Sequence, residues 1–371
     1  MTPVHYRQGA FPPDERLDWK VLAPQMGQAR DSLGRFAEAL DNIPNSSILL
    51  SPLMNQEAVL SSRIEGTKAT LEDVLRFEAG QDPESTERHD DIQEIINYRT
   101  AMQQAQAILT HQHLSQYVIR TVHQTLLRGV RGQGKSPGEF RNDQNWIGGT
   151  GSVESATFVP VDALQLMGAM ECWEHYLSND TRYPLVKLGV LHAEFEAIHP
   201  FRDGNGRLGR IMIPLLMWKY NLIREPVFYI SEYLEANREQ YYDALLAVSR
   251  DDDWTGWCRF FLTAVRVQAD TDLVKAKKIL ALYETMKHRI AELSKSQFAI
   301  YALDWIFERP IFTTAAYLSE SNIPESSARR ILRLMRDAGI LVEVRSGTGR
   351  RPALFLFAEI LSIAEGRNLT G

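Results

Sequence analysis

The sequence predicts a mainly α-helical protein, with one small β-element near its middle and a mixed α/β segment at its end. Three observations carry this. Apolar residues recur at helical spacing along most of the chain as far as residue 287. Residues 140–160 break that texture: Trp146, Ile147, Val153, Phe158 and Val159 flank Gly148, Gly149 and Gly151, the pattern of a strand–turn–strand hairpin. Beyond Gly339 two β-type runs, 340–344 and 353–357, surround the turn Ser346-Gly347-Thr348-Gly349.

Taken in order, residues 1–45 open as an extended, Pro-containing arm and continue as a helix near 25–40. A helix over 53–64 should stop at Gly66, because a helix end commonly needs the left-handed backbone that glycine adopts. Helical spacing returns over 87–109 and 114–127, with His111-Gln112-His113 as a connector, and the Gly-rich, basic stretch 129–136 should be loop. Helices follow over 161–177, 185–198, 208–220, 237–248 and 254–287. Residues 296–307, 313–319 and 324–338 read as three short helices ahead of the two β-type runs. Helix-helix-helix-strand-turn-strand is the order of a winged helix.

A chain of 371 residues is expected to hold two or three modules, and 44% hydrophobic content lets it bury a substantial core. A net charge of −6 argues against coating a polyanion with the whole surface, while leaving room for a local basic patch. Cys172 and Cys258 stand far apart with no CxxC pair, so neither a disulfide framework nor a zinc finger is expected. The first residues lack the basic-then-apolar pattern of a signal peptide, and no apolar run reaches the ~18 residues of a membrane span. The expectation is a cytoplasmic protein with no membrane partner.

The densest chemistry lies in His199-Pro200-Phe201-Arg202-Asp203-Gly204-Asn205-Gly206-Arg207-Leu208-Gly209-Arg210. Gly204 and Gly206 let the backbone approach an anion closely, since no Cβ intervenes. Gly206 and Arg207 fall at the N-terminal end of a buried helix, where free N–H groups and the positive end of the dipole favour a phosphate. Arg207 and Arg210, three apart, share a helix face, and Asp203 is an oxygen ligand of the kind Mg²⁺ takes when phosphates complete its shell. Each piece alone is ordinary, because Asp-Gly and Asn-Gly are turn dipeptides and a His before Pro is more often structural.

Together these residues resemble the signature of the Fic (Fido) family, His-Pro-Phe-x-Asp/Glu-Gly-Asn-Gly-Arg-x-x-Arg, at every defined position. The resemblance covers residues 114–264 as a catalytic core with a β-hairpin flap. It implies that His199 is the general base, that Asp203 holds Mg²⁺, and that Gly204, Asn205, Gly206 and Arg207, with Leu208 and Gly209 behind them, cradle the phosphates of ATP. Arg210 would reach the terminal phosphate. Family members that act as kinases carry Lys where this chain has Gly206. The flap would comprise Ile147, Gly148, Gly149 and Thr150, whose strand edge a target segment could pair with. Its alternative is an ordinary surface hairpin. Tyr241 resembles a family position beside the nucleotide base and Ser249 an often polar position near it, although a Tyr pair on a helix is more often core. His192 reads as a core residue.

Ser61-Ser62-Arg63-Ile64-Glu65-Gly66 resembles the inhibitory Ser/Thr-x-x-x-Glu-Gly motif of the same family. It implies that Glu65 competes for Arg210, with Ser61 beside it; the alternative is that Glu-Gly merely closes a helix. The division this suggests is 1–110, an N-terminal helical region with the inhibitory motif; 114–264, the Fic domain; 265–294, a connecting helix; and 295–371, a winged-helix domain.

The activity implied is transfer of AMP from ATP to a Ser, Thr or Tyr hydroxyl of a target protein or of the chain itself, held back by Glu65. Removal of AMP, use of another nucleotide donor, and a DNA-binding regulator with a nucleotide-sensing Fic domain remain open alternatives. Between residues 323 and 352 seven arginines (329, 330, 333, 336, 345, 350 and 351) face three acids, Glu325, Asp337 and Glu343. Nucleic acid, a docking protein and a homodimer therefore stand as further partners to test, with a solvated basic face as the plain alternative.

Overall fold

A computed structural model describes residues 2–41, 43, 45–130, 134–179, 181–348 and 351–366. Residues 131–133 of the expected loop, and Gly349 and Arg350 of the expected C-terminal turn, lie outside the described residues.

The chain is mainly helical. Strand β1 (Val4–His5) opens it and is followed by α1 (Trp19–Asp41), α2 (Ser46–Leu49), α3 (Ser51–Ile64), α4 (Leu71–Glu78), α5 (Thr86–Leu109) and α6 (Gln116–Leu126). Strand β2 (Phe158–Val159) precedes α7 (Leu166–Ser178), α8 (Pro184–Ile198), α9 (Asn205–Lys219), α10 (Ser231–Ala236), α11 (Arg238–Asp251) and the long α12 (Trp254–Ser294). Then come α13 (Ala299–Glu308), β3 (Ile311–Thr313), α14 (Thr314–Glu320), α15 (Glu325–Asp337), β4 (Val342–Arg345), β5 (Leu354–Leu356) and α16 (Ala358–Glu365).

These elements form two compact units, each discontinuous in sequence. The first comprises residues 1–37, 60–67 and 93–270; the second comprises 38–59, 68–92 and 271–371.

In the first unit α8 is the central strut, buried along nearly its whole length and packed between α7 and α9. Its apolar side chains leave no solvent face, which is why it reads as apolar all round. Indole donors fix it on both sides: Trp173 Nε1 donates to Leu191 O at 2.9 Å and Trp257 Nε1 to Gly189 O at 2.7 Å. The N-terminal arm is a strand, with β1 running parallel to β2 in the register Val4↔Phe158 and His5↔Val159. Tyr6 Oη then donates to the buried Glu194 carboxylate of α8 at 2.6 Å.

The expected hairpin over 140–160 is shorter than its sequence suggests. Ile147 makes a single antiparallel bridge to Phe158, and Gly148, Gly149 and Gly151 all take positive φ, so the chain turns away before a second pair forms. The helix expected from residue 161 begins only at Leu166, because Asp162 Oδ1 accepts from Leu164 N at 2.8 Å and sets a turn there.

In the second unit β3, β5 and β4 form an antiparallel sheet in that spatial order, with Ile311↔Leu356 and Val342↔Leu356 in register. Leu303, Ile306, Phe307, Tyr317, Ile331, Leu354 and Phe357 build its core. Four elements here went unread in the sequence. α2 precedes α3, α4 starts on a full capping box between Thr70 and Asp73, α16 is the last helix among the described residues, and Ile311–Thr313 is a strand where the helix of 313–319 was expected to begin.

Gly189 packs tightly against α12: a Cβ there would stand 2.9 Å from the Phe261 ring, near the rigid base of that side chain. Gly189→Ala should therefore destabilise the first unit by about 1–3 kcal/mol, seen as a lower urea midpoint. An unchanged midpoint would mean that Phe261 yields without cost.

Candidate functional site

The motif loop joins α8 to α9, which pack against each other. α8 stops at His199, whose φ of 50° and ψ of 62° are left-handed, an uncommon conformation for a residue with a Cβ. Buried donors hold it there. Arg141 Nε donates to His199 O at 2.9 Å, and its terminal nitrogens reach Ile198 O at 3.2 Å, Asp143 O at 2.9 Å and Val161 O. Asn145 Nδ2 donates to Phe201 O at 3.2 Å. Asn205 closes the loop on itself: its Oδ1 accepts from Phe201 N at 2.9 Å and its Nδ2 donates to Phe201 O at 2.8 Å.

His123 of α6 stacks on Phe201 with ring centroids 3.7 Å apart. Gly138 N donates to its Nδ1 at 2.8 Å, so the proton is on Nε2, which donates to Asp203 O at 2.9 Å. Burial drops the His123 pKa to about 4, which keeps the ring neutral in this role. Arg141, Asn145 and His123 were absent from the sequence reading, because nothing local marks a donor whose acceptor lies 58 or 80 residues away.

His199 Nδ1 lies 3.2 Å from Glu196 O, a carbonyl that can only accept, so Nδ1 carries the proton and Nε2 keeps a free lone pair. Burial lowers the His199 pKa to about 4, with the nearby Glu65 opposing, and the ring is neutral at pH 7. Asp203 Oδ1 accepts from Gly204 N at 2.6 Å and from Arg207 at 3.4 Å, while its Oδ2 takes no hydrogen bond among the described residues. Arg207, with only 4% of its side chain exposed, also pairs with Glu94 at 2.9 Å.

Arg210 is buried to 1% exposure and is fully engaged by the end of α3. Its Nε donates to Ser61 Oγ at 2.8 Å, and one terminal nitrogen donates to Ser61 O at 2.9 Å and to Glu65 Oε1 at 2.6 Å. Burial pushes the Glu65 carboxyl upward, but Arg210, Arg207 and His199 outweigh it and hold the pKa below the ordinary value. A Cβ on Gly206 would overlap the Glu65 carboxylate. The carboxylate thus occupies the first turn of α9, where the N–H groups of Asn205, Gly206 and Arg207 have no helical partner.

A cavity of about 380 Å³ opens beside this cluster. Its walls are Ala193, Glu196, Ala197 and His199, then Gly206 and Arg210, then Tyr241, Tyr242, Leu245 and Leu246 of α11, with Ile147, Gly148, Thr157 and Phe158 across from them and Glu65 at one end. The structure thus brings together His199, Gly206, Arg210, Ile147, Gly148, Tyr241 and Glu65. Tyr241 is 1% exposed and its Oη is bonded to His192 Nε2 at 2.9 Å, so it offers the cavity part of its ring and not its hydroxyl. The more exposed Tyr242 stands beside it.

Other expected residues sit elsewhere. Ser249 is buried on α11 and does not line the cavity, nor do Gly149 and Thr150. Thr150 N is taken by Ser155 Oγ at 3.0 Å. Leu208 N donates to Gly204 O at 3.0 Å and its side chain is core, while Gly209 packs against the Glu196 carboxyl. Among the described residues no group of three His, Cys, Asp or Glu side chains could hold a metal alone, and no helix is long and apolar enough to cross a membrane.

The Fic/DOC family N-terminal model matches residues 23–107 and the Fic/DOC family model matches residues 113–217, together just over half of the chain. The chain is 26% identical to a probable protein adenylyltransferase of Aquifex aeolicus over 54% of this chain and 59% of that one. It is 27% identical to the protein adenylyltransferase Fic of Aedes aegypti over 66% of this chain and 46% of that one. It spans about half the length of these curated relatives. In fold it resembles a Fic family protein from Desulfovibrio desulfuricans G20, with a TM-score of 0.58 and 19% identity over 96% of this chain and 98% of that one. It also resembles Fic-1 of C. elegans (residues 134–508), with a TM-score of 0.51 and 18% identity over 72% of this chain and 74% of that one.

Glu196 supplies a test of the cavity's electrostatics. Its Oε1 is sealed from solvent without a hydrogen-bond partner, and burial, with Arg210 offsetting and Glu65 reinforcing, raises its pKa from 4.5 to about 8. A carboxyl whose folded value lies above its unfolded value binds more protons when folded, so its contribution falls as pH rises from about 4.5 to about 8. Glu196→Gln should therefore gain stability relative to wild type as pH is raised across that window. Urea midpoints with a constant difference at both ends would show that Glu196 is charged in the fold.

Proposed function

The chain belongs to the Fic/DOC family, and from that membership we propose that it is a protein adenylyltransferase restrained by its own Glu65. It would transfer AMP from ATP to a Ser, Thr or Tyr hydroxyl of a target protein or of itself. The observation that carries this reading is the Glu65 carboxylate lying on Gly206 and Arg210, at the helix start best suited to a phosphate.

In the competent state the base and sugar lie in the cavity beside Tyr241 and Tyr242, and the phosphates take the N–H groups at the start of α9. Arg207 and Arg210 neutralise their charge with paired donors. The His199 Nε2 lone pair accepts the proton of the incoming hydroxyl; its oxygen bonds to the α-phosphorus as the bond to the bridging oxygen breaks, and diphosphate leaves. Asp203, with one carboxylate oxygen uncommitted, fits as a protein ligand for Mg²⁺ whose other ligands are phosphate and water oxygens. Such an ion would add positive charge where the leaving diphosphate becomes negative.

Glu65 and the terminal phosphate of ATP would claim the same guanidinium. A charge-assisted hydrogen bond is worth about 1.5–3 kcal/mol net, so freeing Arg210 should raise transfer about tenfold to a hundredfold. Incorporation of α-labelled AMP by Glu65→Gly, at equal folded concentration, should rise by that factor, and Arg210→Ala in the same background should cancel the gain. A Glu65→Gly protein no faster than wild type would leave Ser61–Gly66 as a helix end. Faster loss of AMP from a pre-labelled protein in wild type than in Glu65→Gly would instead make removal the main reaction.

His199→Ala should keep ATP binding, measured by calorimetry in the Glu65→Gly background, and lose transfer, since the imidazole acts on the hydroxyl and not on the phosphates. Near-normal transfer by that variant would remove His199 from the chemistry.

A further inference from the structure

The second unit has a charged surface that nucleotide transfer does not use. α14 and α15 are joined by the four residues Ser321, Asn322, Ile323 and Pro324, with Asn322 at a φ of 55°. A link this short has the spacing of a helix–turn–helix. α15 buries Ala328, Ile331, Leu332 and Met335 and turns its arginines outward. Arg329 is paired with Glu325 at 2.6 Å and Arg336 with Asp337 at 2.8 Å. Arg330 and Arg333, three apart on the exposed face, have no acidic partner among the described residues.

The turn between β4 and β5 repeats the imbalance. Thr348 and Arg351 exchange backbone hydrogen bonds of 3.0 and 2.9 Å that close the turn. Arg345, at the end of β4, has a buried Nε with no partner and bonds only to Pro352 O, at 3.3 Å. Burial and the positive charges of Arg351 and Arg76 all disfavour its own charge. Like charges gathered without an acid between them cost free energy that a polyanion would relieve.

We propose that this unit binds duplex DNA, with α15 entering the major groove through Arg330, Arg333 and Ser326, exposed one turn before Arg330, while Arg345 and Arg351 contact the flanking phosphates. A helix of this diameter fits the major groove, and Arg is the side chain most often found reading guanine there. Contact through arginines releases counterions from the duplex, so binding is sensitive to salt.

The test uses the full chain and a fluorescent duplex of random sequence, read by anisotropy. Four arginines meeting phosphates or bases give a log–log salt slope of about −3 to −4, so affinity should fall about a hundredfold between 50 and 200 mM salt. Arg330→Ala with Arg333→Ala should weaken binding at least tenfold and flatten the slope by about two, leaving AMP incorporation and the urea midpoint unchanged. The paired lysine variant should keep the slope while losing preference among duplexes enriched by selection. Three results would each overturn the proposal: no duplex binding at 50 mM salt up to about 100 µM protein, equal binding by the alanine variant, or tighter binding to single-stranded DNA of the same length. The last two would make the patch a docking face for something else.

Discussion

A guanidinium buried to 1% exposure has to be answered by acceptors wherever the chain can supply them, and at Arg210 they come from one turn of one helix. Ser61 and Glu65 are four apart, so the end of α3 offers a hydroxyl, a carbonyl and a carboxylate in a single stroke. Leaving such a charge unpaired would cost about 3–5 kcal/mol. Two other features follow from that requirement. Gly66, with φ at 103°, ends α3 as soon as Glu65 is in place. Gly206 has no side chain, because the carboxylate lies where its Cβ would be. The start of α9 carries a second carboxylate as well, Asp203, which accepts from Gly204 N and Arg207.

On the proposed function, displacing Glu65 would be an exchange of anions and not the exposure of a buried cation. A phosphate presents the acceptors that the carboxylate withdraws, and the two Ser61 contacts can persist throughout. The rest of the loop is held by contacts that do not involve Glu65 or Arg210. Asn205 spends its amide on Phe201, and Arg141 and His123 hold the carbonyls of His199 and Asp203 from behind. The left-handed turn at His199 is thus fixed by groups that do not face the cavity, so the imidazole is held in place whether or not a ligand is present.

What could be read from the sequence divides along the same line. Helix periods, the stop at Gly66 and the grouping of the motif residues depend on neighbours within a few positions, and α3, α5, α8, α9 and α11 stand close to where the spacing puts them. Pairing of the arm Val4–His5 with Phe158–Val159, or of Arg141 with His199, is set by tertiary contact and leaves no local trace. The hairpin was overestimated for a related reason, since alternation of apolar residues cannot show that three glycines turn the chain away after one bridge. α4 is a different case. Its Thr70–Asp73 capping box was present in the sequence and could have been found. Gly209 shows the limit of a motif, because it lies within the signature yet faces the buried Glu196 carboxyl instead of the helix start.

The charge balance around the cavity explains why one substitution can dominate its behaviour. Glu196, its pKa raised to about 8, contributes little negative charge near neutral pH, and His199, lowered to about 4, contributes no positive charge. Arg207 is already countered by Glu94 and partly by Asp203. The field at the start of α9 is then decided by Arg210, the helix dipole and Glu65. With Glu65 in place, the positive charge of Arg210 is matched, and an incoming triphosphate would gain little. Without it, a buried cation and a set of free N–H groups face a cavity whose other walls are mostly apolar, where electrostatic attraction is least screened. The same low polarity that strengthens the Glu65–Arg210 pair would strengthen its replacement by phosphate, so on the proposed reading restraint and activity would rest on one guanidinium.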